Sequence, residues 1–490
     1  MQYIGVDLGS TNIKAALYGD DFSLIERLSV PVTYDRTGGK VEFDAEEYVS
    51  GLKGLLKKLS ETEGAEPEKI AQITFTGQAE TLIVVGKDGK AMIPAISWMD
   101  ERSTGECEEL SGMFTPEEIE ATTGQQAVLP TWPATKILWL KRNMPEVYEG
   151  CETFMLLKDY VVYRLTGVKN ADMSIATFSF YFDIYEKKYW KKMLNAIGVS
   201  EEKLPPLCEP CTVAGPLTKE AAAECGMTVS TLVNNGTLDH FTGMIGTGNV
   251  EMGGVSLSTG TVMALATMAE EPVADRNCGV AMHYGFLPDT HVMLPVAESG
   301  GVSLEWFRRT FMREVDYKEL NEVLDQRKHP TQIIFMPYIV GTNSPEFDQE
   351  ATGVMYGLRQ EHDAFDAAAA VMEGVAFVLR KNCECMNEKG ARIDHIIATG
   401  GGAKSNCWCQ MQADITGLPV VRPAELEAAC LGAAMIGAVK DGKFENFKKA
   451  AEVVVKMDKK FEPHKNSDYE RNFKRFNYLY NAQLEACKLL

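Results

Sequence analysis

At 490 residues the chain is too long for one core and suits two domains of roughly 240 residues each. Hydrophobic residues at 45% and charged residues at 24% are ordinary globular values, and no stretch approaches the roughly 20 apolar residues of a membrane span. A net charge of −20 argues against nucleic acid or an anionic membrane as partner, while leaving room for a nucleotide held with a cation at a local site.

In chain order, Tyr3, Ile4 and Val6 open a strand that ends in Asp7, and Gly9-Ser10-Thr11-Asn12 lead into a second strand over 13–18. That spacing predicts a tight hairpin whose turn offers N–H groups and hydroxyls to an anion, with Asp7 able to hold a metal on it. The bland alternative is an ordinary hairpin with a solvated aspartate. Asp44 starts a helix as N-cap, with Glu47 at the capping-box position and Tyr48, Leu52, Leu55, Leu56 and Leu59 on one face. A strand over 73–75 ends at Thr76-Gly77-Gln78, and residues 82–85 and 95–98 make a hairpin-like unit around the turn 87–90. Residues 116–230 read as helical pieces broken by proline-containing loops. A strand over 230–234 then leads to Asp239, and the glycine-rich stretch 243–254 is the expected junction and hinge.

The second half opens as the first does. Residues 255–263 again read strand, small hydroxyl-glycine turn with Gly260 and Thr261, strand, as if one fold were used twice. An alanine-rich helix is expected over 365–380, then a strand over 396–399 that runs into Gly400-Gly401-Gly402-Ala403-Lys404-Ser405-Asn406. Glycines between a strand and a helix let backbone approach a flat or charged ligand. A helix through Trp408, Met411 and Ile415, a strand over 418–422, a helix over 427–438 and a terminal helical tail over 451–490 complete the series. Strands alternating with helices indicate an α/β protein with mostly parallel sheets. Neither the G-x-x-x-x-G-K-[ST] loop nor G-x-G-x-x-G occurs, which disfavours those two nucleotide folds. The 12 cysteines are scattered, with one C-x-x-C at Cys208/Cys211 and C-x-C pairs at Cys383/Cys385 and Cys407/Cys409. No leader of basic then apolar residues precedes them, so reduced thiols in a cytoplasmic protein are expected, with no zinc site.

These motifs, taken together, resemble the FGGY family of carbohydrate kinases, whose ATPase core is shared with actin and hexokinase. The likeness runs from residue 1 to about 450. It includes Gly5-Val6-Asp7-Leu8-Gly9-Ser10-Thr11, the stretch from Pro94 to Arg102, Gly236-Thr237-Leu238-Asp239-His240, Phe335-Met336-Pro337-Tyr338, the stretch from Gly353 to Leu358, the glycine run and Gly417-Leu418-Pro419-Val420.

The resemblance implies a two-lobed actin/hexokinase-like (ribonuclease H-like) ATPase fold, duplicated and with an interlobe cleft. Residues 1–246 would bind sugar and carry the phosphate turn, 247–450 would bind nucleotide, and 451–490 would be the tail. ATP and Mg²⁺ are the implied cofactors. Asp7 would anchor the metal; Gly9, Ser10, Thr11, Asn12 and Lys14 would cradle the β- and γ-phosphates. Gly260 and Thr261 would approach from the other half, with Gly401, Gly402, Ala403 and Asn406 bordering the adenosine. Asp239 is the implied general base for the sugar hydroxyl; a helix-capping aspartate is the alternative.

For substrate, Gln78, Ala79, Glu80, Trp98 and His240 are the candidates beside Asp239. Xylulose kinases carry Met-His-Gly after this Gly-Gln and glycerol kinases Gln-Arg-Glu-Thr; here Gly77-Gln78 is followed by Ala79-Glu80-Thr81. Asp100 and Arg102 resemble the family's Asp-x-Arg and could be a structural ion pair. The expected activity is ATP-dependent phosphorylation of a sugar or polyol, with a ketopentose such as xylulose first and glycerol or another polyol next. A non-catalytic sugar sensor and an actin-like ATPase acting on proteins are the competing classes. A small-molecule substrate, no nucleic acid, no membrane and a homodimer are the partner expectations.

Overall fold

The computed structural model describes residues 1–270, 278–327 and 329–487; residues 488–490 of the expected tail lie outside them. The chain forms two compact units. The first gathers Met1–Val250, Met282–His291 and Glu427–Val454; the second holds Glu251–Ala281, Val292–Leu426 and Val455–Leu490. The sequence reading expects two contiguous halves. What it does not see is where a late helix belongs. Ala429–Lys440 lies on the strand Gln2–Leu8 so closely that a Cβ at Gly5 would sit 1.9 Å from the Cys430 carbonyl oxygen. Small residues on both elements permit that contact, and they carry no periodic signal of their partner.

The first unit is built on a six-stranded sheet in the order Val213–Pro216, Leu232–Asn234, Ile70–Gly77, Gln2–Leu8, Asn12–Tyr18, Leu24–Pro31. Its three central strands, Leu232–Asn234, Ile70–Gly77 and Gln2–Leu8, run parallel, so their C-terminal ends bring Asn234, Gly77 and Leu8 to one edge. Asp7 stands opposite Lys14 on the antiparallel neighbour. The helix Ala45–Ser60 begins as expected, with Asp44 accepting from the Glu46 and Glu47 amides. Its buried stripe of Tyr48, Leu52, Leu55, Leu56 and Leu59 joins Ile4, Val6, Ile73 and Phe75 in one core, each large side chain contributing about 1.5–3 kcal/mol.

The second unit repeats the opening pattern. Gly253–Thr259 turns into the antiparallel Met263–Ala269 and pairs in parallel with Ile393–Thr399, just as Gln2–Leu8 does with Asn12–Tyr18 and Ile70–Gly77. Val420–Pro423 follows in parallel. The helix Ala364–Glu388 is longer than the alanine-rich stretch predicts and starts with a reciprocal Asp363/Asp366 capping box.

One expectation fails here. The tail is not wholly helical: Met457–Phe461 is an edge strand antiparallel to Val420–Pro423, before the helix Ser467–Cys487. Its charged and exposed Asp458, Lys459 and Lys460 hide it from an alternation test, and such charges suit an edge. Cys278 and Cys385 lie together, with Cα atoms 5.7 Å apart. No helix among the described residues is long and apolar enough to cross a membrane.

Candidate active site

In the first unit the turn after Gln2–Leu8 is tight: a Cβ at Gly9 would lie 2.6 Å from the Asn12 carbonyl oxygen. Thr11 is fixed through its carbonyl, which accepts from the Val32 amide at 2.9 Å. Asn12 is the first residue of the next strand. Ser10 is held from outside the turn, because the Trp98 indole N–H donates to its Oγ at 2.8 Å. Lys14 is less available to phosphate than its position suggests: its ammonium meets Glu427 at 3.0 Å. Burial works against that charge, yet Glu427 outweighs it and raises the Lys14 pKa.

Asp7 is the electrostatic centre. Burial pushes its carboxyl up to about 7, the nearby Asp239 carboxylate adds to the rise, and Lys14 offsets only part. Asp239 opens the helix Asp239–Gly246, and its Oδ1 accepts from the His240 amide at 2.6 Å. The approach to it is rigid. Gly236 has φ +62, and a Cβ there would lie 1.8 Å from the Phe75 carbonyl oxygen. The Thr76 hydroxyl donates to the Thr237 carbonyl, and the Thr237 hydroxyl to Ser174 Oγ, each at 2.8 Å. Ser174 in turn donates to Asp172, which takes the buried Lys158 ammonium at 2.8 Å. The helix behind is crossed by Ala429–Lys440, whose Gly432 leaves room for no Cβ against the Thr242 carbonyl oxygen, 2.0 Å away.

The loop after Ile70–Gly77 carries the proposed sugar contacts, and one of them is spent. The Gln78 amide donates weakly to the Leu8 carbonyl at 3.5 Å and accepts from the Thr81 hydroxyl at 2.8 Å. Thr81 Oγ1 accepts from the Trp98 amide at 3.1 Å. Gln78 therefore positions the loop rather than facing outward. Ala79 turns it, its carbonyl accepting from the Thr81 amide. Glu80 has φ +63, a conformation an L side chain adopts only under constraint.

The constraint is Lys136, a residue that sequence reasoning misses. Its fully buried ammonium donates to the Glu80 carbonyl at 3.2 Å and to the Ser97 carbonyl at 2.8 Å. Burial drives the Glu80 carboxyl upward, and Lys136 and the Thr131 hydroxyl pull it back; burial likewise lowers the Lys136 pKa, and Glu80 opposes that. Trp98 is 39% exposed. Asp100 and Arg102 form an internal pair: Arg102 forks onto the buried Asp100 at 2.7 and 2.6 Å and reaches the partly exposed Glu42 at 2.7 Å. Beside His240 lies His283, also unseen from sequence, stacked on Phe178 with centroids 4.4 Å apart and bonded to the Gln125 amide at 3.3 Å. Burial pulls His283 down to about 3, so it is neutral.

In the second unit, Gly260, Thr261, Gly401 and Gly402 line one cavity of about 480 Å³, together with Tyr317 and Ser405. Space is open at Gly260, where a Cβ would meet nothing nearer than 4.0 Å. Ala403 and Asn406 do not line it. The Ala403 carbonyl and Asn406 Oδ1 accept from Arg422 at 2.9 and 3.1 Å, so both brace the strand Val420–Pro423. Tyr317, Asn321 and Trp408 complete the wall; only Trp408 carries a sequence hint, through its place on the helix after the glycines.

An acid-anchored hydroxyl turn and a glycine-lined cavity on a repeated α/β core define an ATP-dependent phosphotransferase of the sugar-kinase class. The chain belongs to the FGGY family of carbohydrate kinases, whose N-terminal domain model matches residues 2–246 and whose C-terminal domain model matches 255–440. A xylulose kinase of Bacillus subtilis (strain 168) is 29% identical over 467 residues, covering 94% of this chain and 93% of its own. A gluconokinase of the same strain is 25% identical over 470 residues, covering 92% and 90%. A solved structure of a xyloylose kinase from Brucella ovis superposes with TM-score 0.92 at 27% identity, covering 99% of this chain and 100% of its own.

Proposed function

We propose that this sugar kinase phosphorylates a ketopentose of the xylulose type, with Asp239 as the base that takes the proton from the attacking hydroxyl. The observation that carries the reading is the pairing of Asp239 with Asp7 beside the Gly9–Asn12 turn: one carboxylate for a proton, one for a cation. No three His, Cys, Asp or Glu side chains gather into a metal cage among the described residues. Mg²⁺ typically takes one or two carboxylates plus phosphate oxygens, and Asp7 with its like-charged neighbour fits that need. Bound there with ATP, the cation would neutralise charge on the transferring phosphoryl group. Asp7 would hold it, and the turn amides with Ser10 and Thr11 would take the phosphates. In the second unit Gly260, Thr261, Gly401 and Gly402 would border the nucleotide; in the first, Glu80, Trp98 and His240 would orient the sugar.

A neutral sugar is favoured over a sugar acid because the nearby cations are committed. Lys136 is spent on two carbonyls, Arg102 on Asp100 and Glu42, and Ala79 stands where glycerol kinases carry arginine. A cytoplasmic homodimer completes the proposal. The test is ADP release with Mg²⁺-ATP against ketoses, aldoses, sugar acids and polyols, run beside Asp239→Ala. A ketopentose raising turnover in the native protein alone supports the reading; a response to gluconate or glycerol only would replace the substrate.

A further inference from the structure

In the first unit the strand Leu232–Asn234 does not run freely into Asp239, because the residues between them are closed into a ring of hydrogen bonds. Lys158, second residue of the helix Leu157–Thr166, donates from Nζ to the Asn235 carbonyl at 2.7 Å and to Asp172 Oδ2 at 2.8 Å. Asp172 Oδ1 accepts from both the amide and the hydroxyl of Ser174, each at 2.8 Å, as N-cap of the turn Met173–Ala176. Ser174 Oγ accepts from the Thr237 hydroxyl at 2.8 Å, two residues from where the ring began. Lys158, Asp172, Ser174, Asn235 and Thr237 are all fully buried, so bulk water does not compete for these bonds. Burial works against the Lys158 charge, but Asp172 and Asp159 outweigh it and raise its pKa, so the ammonium keeps its three donors.

We infer that Lys158, Asp172 and Ser174 are positioning residues for the reaction, which fix Asp239 through the segment 235–237 without touching substrate. The inference rests on the reading of Asp239 as the base. A base must come within about 2.6–3.2 Å of the hydroxyl it deprotonates, and a misplacement of about 1 Å can cost on the order of 100-fold in rate. Only Leu238 separates Thr237 from Asp239, and the Leu238 carbonyl accepts from the Thr242 amide at 2.8 Å. The Asp239 carboxylate is thus carried on backbone held on both sides, by the ring before it and by a helical bond after it. The Thr76 hydroxyl ties the Thr237 carbonyl to the sheet, at 2.8 Å. The ring ties the same segment to the helix Leu157–Thr166 and the turn Met173–Ala176, so the base is referenced to three elements far apart in sequence.

The test opens the ring in two ways in the full-length protein. Thr237→Val removes one hydroxyl at nearly unchanged shape; Lys158→Met with Asp172→Asn removes both charges together, so neither is stranded. Each is made in the native and the Asp239→Asn background, and kcat and both KM values are measured with Mg²⁺-ATP and the sugar that raises turnover most in the panel above. In the native background each should lower kcat at least about tenfold and leave both KM values within about twofold. In the Asp239→Asn background each should cost less than about twofold, because displacing a base that is already gone loses nothing. Native kcat in Thr237→Val, or the same loss in both backgrounds as a general structural defect gives, overturns the inference. Thr237→Val decides the matter even if the charge-pair variant folds poorly. Asp239→Asn alone at near-native rate removes the base, and the inference with it, before either ring variant is measured.

Discussion

Asp239→Asn separates the two jobs assigned to the carboxylate pair. As a base, Asp239 is typically worth about 10²–10⁴ in rate, so kcat should fall by that factor while nucleotide binding persists. As a like charge, it raises the Asp7 pKa from 3.8 towards about 7, second only to burial. The sign of the stability effect follows. With its pKa raised on folding, Asp7 binds a proton in the native state that the unfolded chain has already lost between about pH 4 and 7. Its contribution to stability therefore declines as pH rises through that window. At about 1.36 kcal/mol per pKa unit the full shift corresponds to about 4 kcal/mol. That is a ceiling, because the Asp7 side chain remains partly open to solvent and screening reduces it. The amide variant removes the Asp239 part, so its melting temperature should fall less between pH 5 and pH 8 than that of the native protein. For a unit of this size each recovered kcal/mol is worth about 2–4 °C at pH 8. The assays are steady-state turnover and parallel thermal melts across pH. A variant with kcat within a few-fold of native would refute the base, and one whose melting follows the native pH slope would refute the coupling of Asp239 to Asp7.

Glu80→Gln should lower kcat/KM for the sugar by about 10- to 100-fold, mostly through KM, since hydrogen bonds to a charged acceptor are worth about 1.5–3 kcal/mol; an unchanged sugar KM would remove Glu80 from the site. Arg102→Met should cost about 3–5 kcal/mol by stranding the buried Asp100 charge, while the folded fraction keeps a near-native sugar KM; a large KM change at full stability would make Arg102 a contact instead. Gly402→Ala puts a Cβ 2.8 Å from the Thr259 side chain, so the glycine turn must move and KM for ATP should rise several-fold with the sugar KM unaffected, as two-substrate kinetics can read.

The sequence carries the repeated core well because its signals are local. A β-branched run ending in Asp7 and a capped stripe from Asp44 to Leu59 need no knowledge of distant chain. Glycine turns at 9, 260 and 401–402 announce themselves the same way. Contacts made by small or buried polar residues across long separations stay hidden. Lys136 looks like one more basic residue of an amphipathic helix, yet its ammonium is buried under the Glu80 and Ser97 carbonyls. His283 lies on the strand Met282–Tyr284, outside every motif, and joins the first unit only when the chain folds back. At Gln78 and Asn406 the motif marks the loop, but the hydrogen bonds by which their side chains hold it are not legible in the sequence. Met457–Phe461 escapes because an edge strand that keeps charges on both faces has no alternation to read.

The hydrogen bonds around Thr81 give the site its internal logic. Thr81 donates to Gln78, accepts from the Trp98 amide, and Trp98 reaches Ser10. The Gln78 backbone N–H meanwhile donates to the Leu8 carbonyl at 3.3 Å, one residue after Asp7. The Gly9–Asn12 turn and the loop 78–81 of the first unit are therefore one hydrogen-bonded body. Within it Glu80 is held at φ +63, a conformation that costs of order 1–3 kcal/mol and persists only where surroundings over-determine it. Lys136 supplies that determination from below, at the cost of burying an ammonium whose pKa falls as a result. An apolar side chain at 136 would avoid the buried charge but release the loop. The lysine thus holds the Glu80 backbone in place, as the sugar-binding role proposed for that residue requires.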